Sequence, residues 1–324
     1  MKVIRARNVN EALPLGLFHI REMHRAITPR DAATLEYPEP VCTVFRKPQE
    51  RVMFDPRRDA NPFFHLMEAL WILAGRKDVE WIARYNAQIA NYSDDGKSFH
   101  AAYGYRLKDQ IEPVIDLLIR EPHTRRAVLQ IWDSQLDLNH QGKDIPCNSM
   151  VFLKIRDDKL HISVANRSND IIWGAYGANA VQFSMIQEYL AGRLDVGVGE
   201  YRQVSDSYHV YTEGPGKAIW DKCSDIEPAG TIDPYKWGTV EPYPFMTEPA
   251  AFDDDLQMFM GGGVSCAGDA FYHNAFFEEV AEPMVRSWGY YKLRQFDCAI
   301  SEAETVQATD WQLACVEWLE RRAK

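Results

Sequence analysis

The residues able to do chemistry crowd into one stretch, from Asp144 to Tyr211. It opens with Asp144-Ile145-Pro146-Cys147-Asn148, which sets a candidate nucleophile directly behind a proline. Asn166-Arg167-Ser168-Asn169-Asp170 then gathers a cation, a hydroxyl, two amides and a carboxylate, and Ser207-Tyr208-His209-Val210-Tyr211 closes the stretch. A lone cysteine would carry little weight, but a nucleophile followed by strand, polar cluster, glycine turn and helix is a site-like arrangement. Three features lie upstream. Glu68 stands in a strongly apolar run, where it either holds a proton at neutral pH or points at solvent. Arg125-Arg126 is solvated charge or a phosphate clamp, because guanidinium forks fit phosphate oxygens. Arg30 sits in a Thr-Pro-Arg-Asp turn whose plain reading is solvated loop charge.

These groups need elements to position them. A first helix is expected from Val9 to about Ile27, then strands at Val41–Phe45 and Arg51–Phe54 with Pro48 between them. Asn61-Pro62 is an N-cap followed by proline at the first helical position, opening a helix apolar on most sides around Glu68. Asn91 to Tyr105 reads as a loop ending in a short turn, with a helix from about Ile111 to Arg120 and a strand at Ala127–Trp132. Alternation predicts strands at Met150–Ile155 and Leu160–Val164, and spacing predicts a helix with one apolar face from Gln182 to Leu194. Residues 212–250 are expected to be irregular, Asp253-Asp254-Asp255 to start a helix, and Gly261-Gly262-Gly263 to act as flexible punctuation. Two closing helices are expected at Ala270–Tyr291 and Ile300–Arg322.

The chain has 324 residues, 46% hydrophobic and 26% charged, which suits a globular protein with a substantial core. A net charge of -11 argues against a general nucleic-acid surface but leaves room for a small anion held by a few arginines. No run approaches the roughly 18–20 apolar residues of a membrane span, and the start lacks a signal-peptide block, so a cytoplasmic location is expected. The six cysteines show no CxxC spacing, so neither a zinc site nor a disulfide framework is indicated. The segments interlock best as a single domain spanning 1–324.

Taken in order, these residues resemble the thymidylate synthase family, which includes the pyrimidine nucleotide hydroxymethylases. The resemblance rests on Pro146-Cys147, Arg167-Ser168-Asn169-Asp170, Gly174 to Asn179 and His209-Val210-Tyr211, with Glu68 to Trp71, Tyr103-Gly104 and Arg125-Arg126 upstream. It is specific from about Asn61 to Tyr211, weak before that and absent after about residue 212. It implies an α/β (α+β) fold with a large mixed sheet flanked by helices, dimerising through the sheet. The resemblance makes Cys147 the nucleophile that adds to carbon 6 of a pyrimidine, activating carbon 5 toward a one-carbon unit from 5,10-methylenetetrahydrofolate, with no metal. Arg167 would favour the thiolate and touch the nucleotide phosphate, together with Ser168, Arg30 and the partner subunit's Arg125 and Arg126. Glu68 would manage protons at the exocyclic position and Tyr103 would assist loss of the carbon-5 proton. His209 and Tyr211 would bind the sugar hydroxyl, while Asp170, Gly174 and Trp71 would face the folate.

Three departures bear on substrate and product. Asn148 stands where synthases usually have histidine. The glycine turn is one residue longer than usual, so either Asn179 or Ala178 takes the base-reading position; asparagine there suits uracil and aspartate suits cytosine. The family's apolar C-terminus that closes over the folate has no counterpart in Trp318 to Lys324. Hydride transfer needs a dry site, since water competes for the same carbon. The expected reaction is therefore hydroxymethylation of a deoxynucleotide, with dUMP preferred over dCMP, as in the divergent phage and antibiotic-pathway branch. Methylation is the near alternative, and a catalytically inactive nucleotide- or RNA-binding protein the distant one. A thiol hydrolase would need a histidine base and an oxyanion hole that nothing after Cys147 supplies.

Overall fold

The computed structural model describes residues 1–29, 32–261 and 271–324, so Arg30, Gly262, Gly263 and Ala270 fall outside the described residues. Strands β1 (Lys2–Ala6), β2 (Arg25–Ile27), β3 (Thr34–Glu36), β4 (Val41–Phe45), β5 (Val128–Gln130), β6 (Asn148–Arg156), β7 (Lys159–Asp170) and β8 (Gly197–Tyr211) form one sheet. Its main order is β1-β4-β8-β7-β6-β5, with β3 on the end of β8 and β2 on β3. The β1/β4 and β7/β8 pairs are parallel and the rest antiparallel, so the sheet is mixed as expected. Asp157 and Asp158 turn the β6–β7 hairpin with φ of 52° and 53°. A two-residue turn with both centres left-handed matches the twist of the strands it joins.

The helices are α1 (Val9–Glu22), α2 (Pro62–Leu73), α3 (Val79–Ala83), α4 (Tyr103–Arg120), α5 (Ser134–Asp137), α6 (Asn179–Arg193), α7 (Gly214–Cys223), α8 (Pro234–Trp237), α9 (Phe252–Gly261), α10 (Glu282–Lys292), α11 (Phe296–Ala303) and α12 (Thr309–Ala323). The parallel β7/β8 pair needs a crossover, and α6 supplies it. Every residue from Asn179 to Ala191 is buried, so α6 is enclosed all round rather than apolar on one face. It lies between the sheet and α2, which leaves it no solvent side. On α2, Asn61 accepts from the Phe64 N–H, and Pro62 occupies the first turn, as the sequence indicates.

Several boundaries differ from expectation. α1 ends at Glu22, and Arg25–Ile27 pairs with β3 instead of extending the helix. Arg51–Phe54 is buried but irregular. Its backbone is satisfied by side chains: Asn10 Nδ2 donates to the Val52 carbonyl at 2.9 Å, Asn10 Oδ1 accepts from Phe54 N at 3.0 Å, and the Tyr235 hydroxyl accepts from Val52 N at 3.2 Å. α4 begins at Tyr103 rather than Ile111 because its first turns pack on the end of α2. A Cβ on Gly104 would lie 1.9 Å from the Ile72 carbonyl oxygen, so only glycine permits that approach. Residues 171–178 are not an open turn but a π-helical segment with non-helical angles at Tyr176 and Gly177. Residues 212–250 contain α7 and α8 within otherwise irregular chain.

Among the described residues, the C-terminal part from Phe277 on holds three α-helices where two helices were expected. A π-helical turn at Phe277–Ala281 runs into α10, Arg294 turns the chain with a φ of 60°, and the second expected helix divides into α11 and α12. Phe63 of α2 meets Trp288 and Trp318 at ring separations of 5.4 and 5.7 Å, so these helices join the core that includes the sheet. No described helix is long and apolar enough to cross a membrane.

Candidate active site

Cys147 sits in the loop that enters β6, against the end of β7. The Arg167 backbone N–H donates to the Cys147 carbonyl at 3.0 Å. The Arg167 guanidinium donates to the carbonyls of Pro146 at 2.9 Å and Ile145 at 3.2 Å, and its Nη2 lies 3.9 Å from Cys147 Sγ. The loop that carries the thiol thus also anchors a cation beside it, which favours the thiolate. Trp132 backs the guanidinium, with its ring centroid 5.6 Å away.

Asp144 braces the same loop. Its Oδ2 accepts from the His100 N–H at 2.6 Å, linking the cysteine loop to the turn that starts α4. His100 in turn stacks on His140 at 4.0 Å, and each ring meets its own carboxylate: Asp137 at 2.7 Å and Asp94 at 2.8 Å. This brace was not foreseen, since its histidines and aspartates are scattered in sequence.

Tyr103, at the first position of α4, faces Cys147. Burial, followed by the charge on Cys147, keeps its ionisation well above the ordinary tyrosine range, against the opposing pull of the Cys147 and Asn148 backbone. Glu68 acts on the same hydroxyl electrostatically. Glu68 does not point to open solvent: Gln182 of α6 donates to its Oε2 at 2.6 Å, and burial raises its pKa to about 7. The carboxyl therefore changes charge near neutral pH, which suits a group that hands protons to and from a base. Gln182 entered the sequence reading only as the start of an amphipathic helix.

Asn179, the first residue of α6, brings its amide to the buried Asn148. Asn148 Nδ2 donates to Asn179 Oδ1 at 3.3 Å, and Asn179 Nδ2 donates to Asn169 Oδ1 at 3.1 Å. Of Asn179 and Ala178, only Asn179 offers hydrogen-bonding groups beside Asn148.

Ser168 and Asp170 are register neighbours of Ser207 and His209 on the parallel β8 strand. His209 Nδ1 lies 3.2 Å from Ser207 Oγ, which donates to Glu36, and its ring meets Tyr211 edge-on at 5.2 Å. Burial raises the Tyr211 phenol, with the charges of Asp170 and Cys147 adding to it, so this group belongs to the same neighbourhood. Asp170 caps the π segment, its Oδ1 accepting from Ile172 N at 3.0 Å and Trp173 N at 2.6 Å. Burial pushes the Asp170 carboxyl up, against the pull of His209. Arg58, unmarked in the sequence reading, is buried and holds that segment from beneath, with Nε donating to the Ile172 carbonyl at 2.7 Å. Gly174 borders the amides of Asn169 and Asn179. Trp71 is buried, with its ring plane perpendicular to that of Phe99 and the centroids 5.9 Å apart.

Arg125 and Arg126 are not brought to this site within one chain. Arg126 is exposed and pairs with Glu121 at 2.7 Å. Since Leu153 N bonds the Ala127 carbonyl, Arg126 comes opposite Lys154, at the far end of β6 from Cys147. At strand spacing that is roughly 20 Å.

A family model described as Thymidylate synthase matches residues 61–223. A deoxyuridylate hydroxymethyltransferase of Pseudomonas phage M6 is 44% identical over 99% of this chain and 95% of its own length. A deoxyuridylate hydroxymethyltransferase of Bacillus phage SP01 is 43% identical, matching 58% of this chain and 53% of its own. A putative thymidylate synthase of Methanosarcina acetivorans is 30% identical over 69% of this chain and 94% of its own. The likeness to the phage M6 protein covers 99% of this chain, so the region after residue 212 is not peculiar to it.

Proposed function

The chain belongs to the thymidylate synthase family, and from that premise we propose that it hydroxymethylates carbon 5 of dUMP, with 5,10-methylenetetrahydrofolate as the one-carbon donor. The reaction class is carried by one observation: a cysteine with an anchored guanidinium 3.9 Å from its sulfur faces a tyrosine and a carboxyl of pKa about 7. The hydroxymethyl product rests on the full-length likeness to the phage M6 protein and on Asn148.

The Cys147 thiolate forms a C–S bond at carbon 6, and the electron pair of the 5,6 double bond moves onto carbon 5 and the carbon-4 carbonyl. Glu68 in its protonated form, held by Gln182, supports the charge developing on that carbonyl. The donor supplies one carbon, which bonds to carbon 5. Loss of the carbon-5 proton, assisted at the Tyr103 hydroxyl, drives cleavage of the bond between the transferred carbon and the donor nitrogen; tetrahydrofolate departs with that electron pair and takes up a proton, and an exocyclic methylene remains on the base. Water adds to that methylene, the electron pair returns through the ring, and the carbon–sulfur bond breaks to release Cys147 as thiolate. A pterin bonds at Asp170, whose Oδ1 caps the π segment and whose Oδ2 makes no hydrogen bond among the described residues. His209 and Tyr211 hold the sugar, while Arg167 and Ser168 hold the phosphate.

The protein acts as a homodimer through its sheet, with Arg125 and Arg126 of one subunit completing the phosphate site of the other. Supporting this are the separation of these arginines from Cys147 along β6 and the open sheet face. On that face the cross-strand pair Val128 and Phe152 is 40% and 45% exposed.

Mass spectrometry of products from dUMP, dCMP, UMP and CMP with the donor tests the proposal, using Cys147→Ala as control. A gain of one CH2O unit on dUMP is expected. A gain of CH2 would assign methylation instead.

A further inference from the structure

Four buried side-chain amides form a continuous relay behind the base-reading position. We infer that Gln203 and Asn169 decide uracil over cytosine by fixing which way the Asn179 amide points, an inference that rests on the nucleotide C5 chemistry proposed above. The relay starts at a group with one possible role. Gln203 Nε2 donates to the Ala175 backbone carbonyl at 2.8 Å, and a carbonyl only accepts. Gln203 Oε1 must therefore face the other way, where it accepts from Asn169 Nδ2 at 3.0 Å; that nitrogen also donates to Ser205 Oγ at 3.0 Å. Asn169 Oδ1 is left facing Asn179, and it accepts from Asn179 Nδ2 at 3.1 Å. Each orientation follows from the one before it.

The far end agrees. Asn148 Nδ2 donates to Asn179 Oδ1 at 3.3 Å, while the reverse contact from Asn179 Nδ2 to Asn148 Oδ1 is 3.5 Å, the outer limit of a hydrogen bond. Asn148, Asn169 and Gln203 are 0%, 2% and 1% exposed, so turning any one of them sets oxygen against oxygen in the interior. Gly174 keeps the relay open: a Cβ there would lie 2.7 Å from Asn169 Oδ1 and 3.5 Å from Asn179 Nδ2.

Held in this sense, Asn179 has one N–H and one oxygen lone pair left for a ligand. Uracil offers O4 to accept and N3–H to donate, which matches. Cytosine offers the reverse pattern and needs a flipped amide. Asn169 and Gln203 touch no substrate in this arrangement; they are positioning residues.

The test measures tritium release from carbon 5 of labelled dUMP and dCMP. This reads base choice whether the product gains CH2 or CH2O, so a wrong product assignment shows separately in product mass. Wild type is expected to favour dUMP, and Gln203→Leu to lose roughly tenfold or more of the dUMP:dCMP ratio in kcat/KM. Asn179→Asp alone should handle dCMP poorly, because its carboxylate faces the fixed Asn169 oxygen. Adding Gln203→Leu frees Asn169 to turn its N–H toward that carboxylate, and dCMP turnover should rise roughly tenfold over the single variant. Gln203→Met replaces leucine if circular dichroism shows that the leucine variant is unfolded. A ratio unchanged in folded Gln203 variants, or a wild type that prefers dCMP, would overturn the inference.

Discussion

Gln182 of α6 donates to Glu68 Oε2 of α2 at 2.6 Å, while its own Oε1 is buried without a hydrogen-bond partner among the described residues. This contact opposes burial, which has already raised Glu68 to a pKa of about 7. A hydrogen bond donated to the ionised carboxylate favours that form. Replacing Gln182 with Met should therefore move the Glu68 limb of the kcat–pH profile to higher pH. Glu68→Gln should remove the limb and lower kcat by roughly a hundredfold. A Gln182→Met profile shifted to lower pH would contradict this account. The stability sign is also fixed: the folded pKa lies above the ordinary 4.5, so the stabilisation is complete below about 4.5 and is lost as pH rises through about 7. Urea titration at pH 8 should show Glu68→Gln equal to or more stable than wild type.

The Arg167 guanidinium beside Cys147 predicts a reactivity difference. Arg167→Gln should slow alkylation of Cys147 at neutral pH by roughly tenfold, as the thiolate fraction falls. Cys298 is exposed, so the rate must be read on the Cys147 peptide by mass spectrometry. Equal rates in both proteins would remove the argument that this cation activates the thiol.

His65 is buried in α2, and burial, with Arg58 nearby, lowers its pKa from 6.5 to about 3. The folded pKa is depressed, so the unfolded state takes up the proton first. Stability is full above about 6.5 and falls as pH drops toward 3. At pH 5 the loss should be roughly 2 kcal/mol. Denaturant unfolding of His65→Leu should show a shallower decline between pH 7 and 5 than wild type; parallel curves would assign the acid sensitivity elsewhere.

The proposed sharing of sites between subunits makes a prediction about mixtures. Separately purified Cys147→Ala and Arg125→Ala/Arg126→Ala proteins should each be nearly inactive. After unfolding and refolding together, they should regain activity, because a mixed dimer contains one site with both an intact thiol and intact partner arginines. Activity no greater than the sum of the two parents would place these arginines outside the site.

Much of the candidate site could be marked in the chain because its motifs are local. Pro146-Cys147, the Arg167 to Asp170 run and the His209 to Tyr211 end each lie within a few residues, and strand alternation carries their geometry. The Asn61-Pro62 start of α2 was equally plain, since an N-cap and a proline act on their own turn. What failed to show was cross-chain. The extra turns of α4 depend on Gly104 meeting Ile72, the buried irregular path of Val52 to Phe54 depends on Asn10 and Tyr235, and the amphipathic look of α6 gave no hint of its second buried side.

By itself, the sequence carried the resemblance to the family, and with it the expected fold class, and it marked Cys147 and Arg167 as candidate nucleophile and cation, because the motifs behind that resemblance are short and local. Tertiary structure alone decided that Glu68 titrates near neutrality, since the shift comes from burial beneath α6. It alone decided the sense of the Asn179 amide, which follows from a backbone carbonyl at Ala175 reached through Gln203 and Asn169. An amide side chain has two faces and no preference of its own. Only neighbours with fixed roles, supplied by other strands, can choose between them.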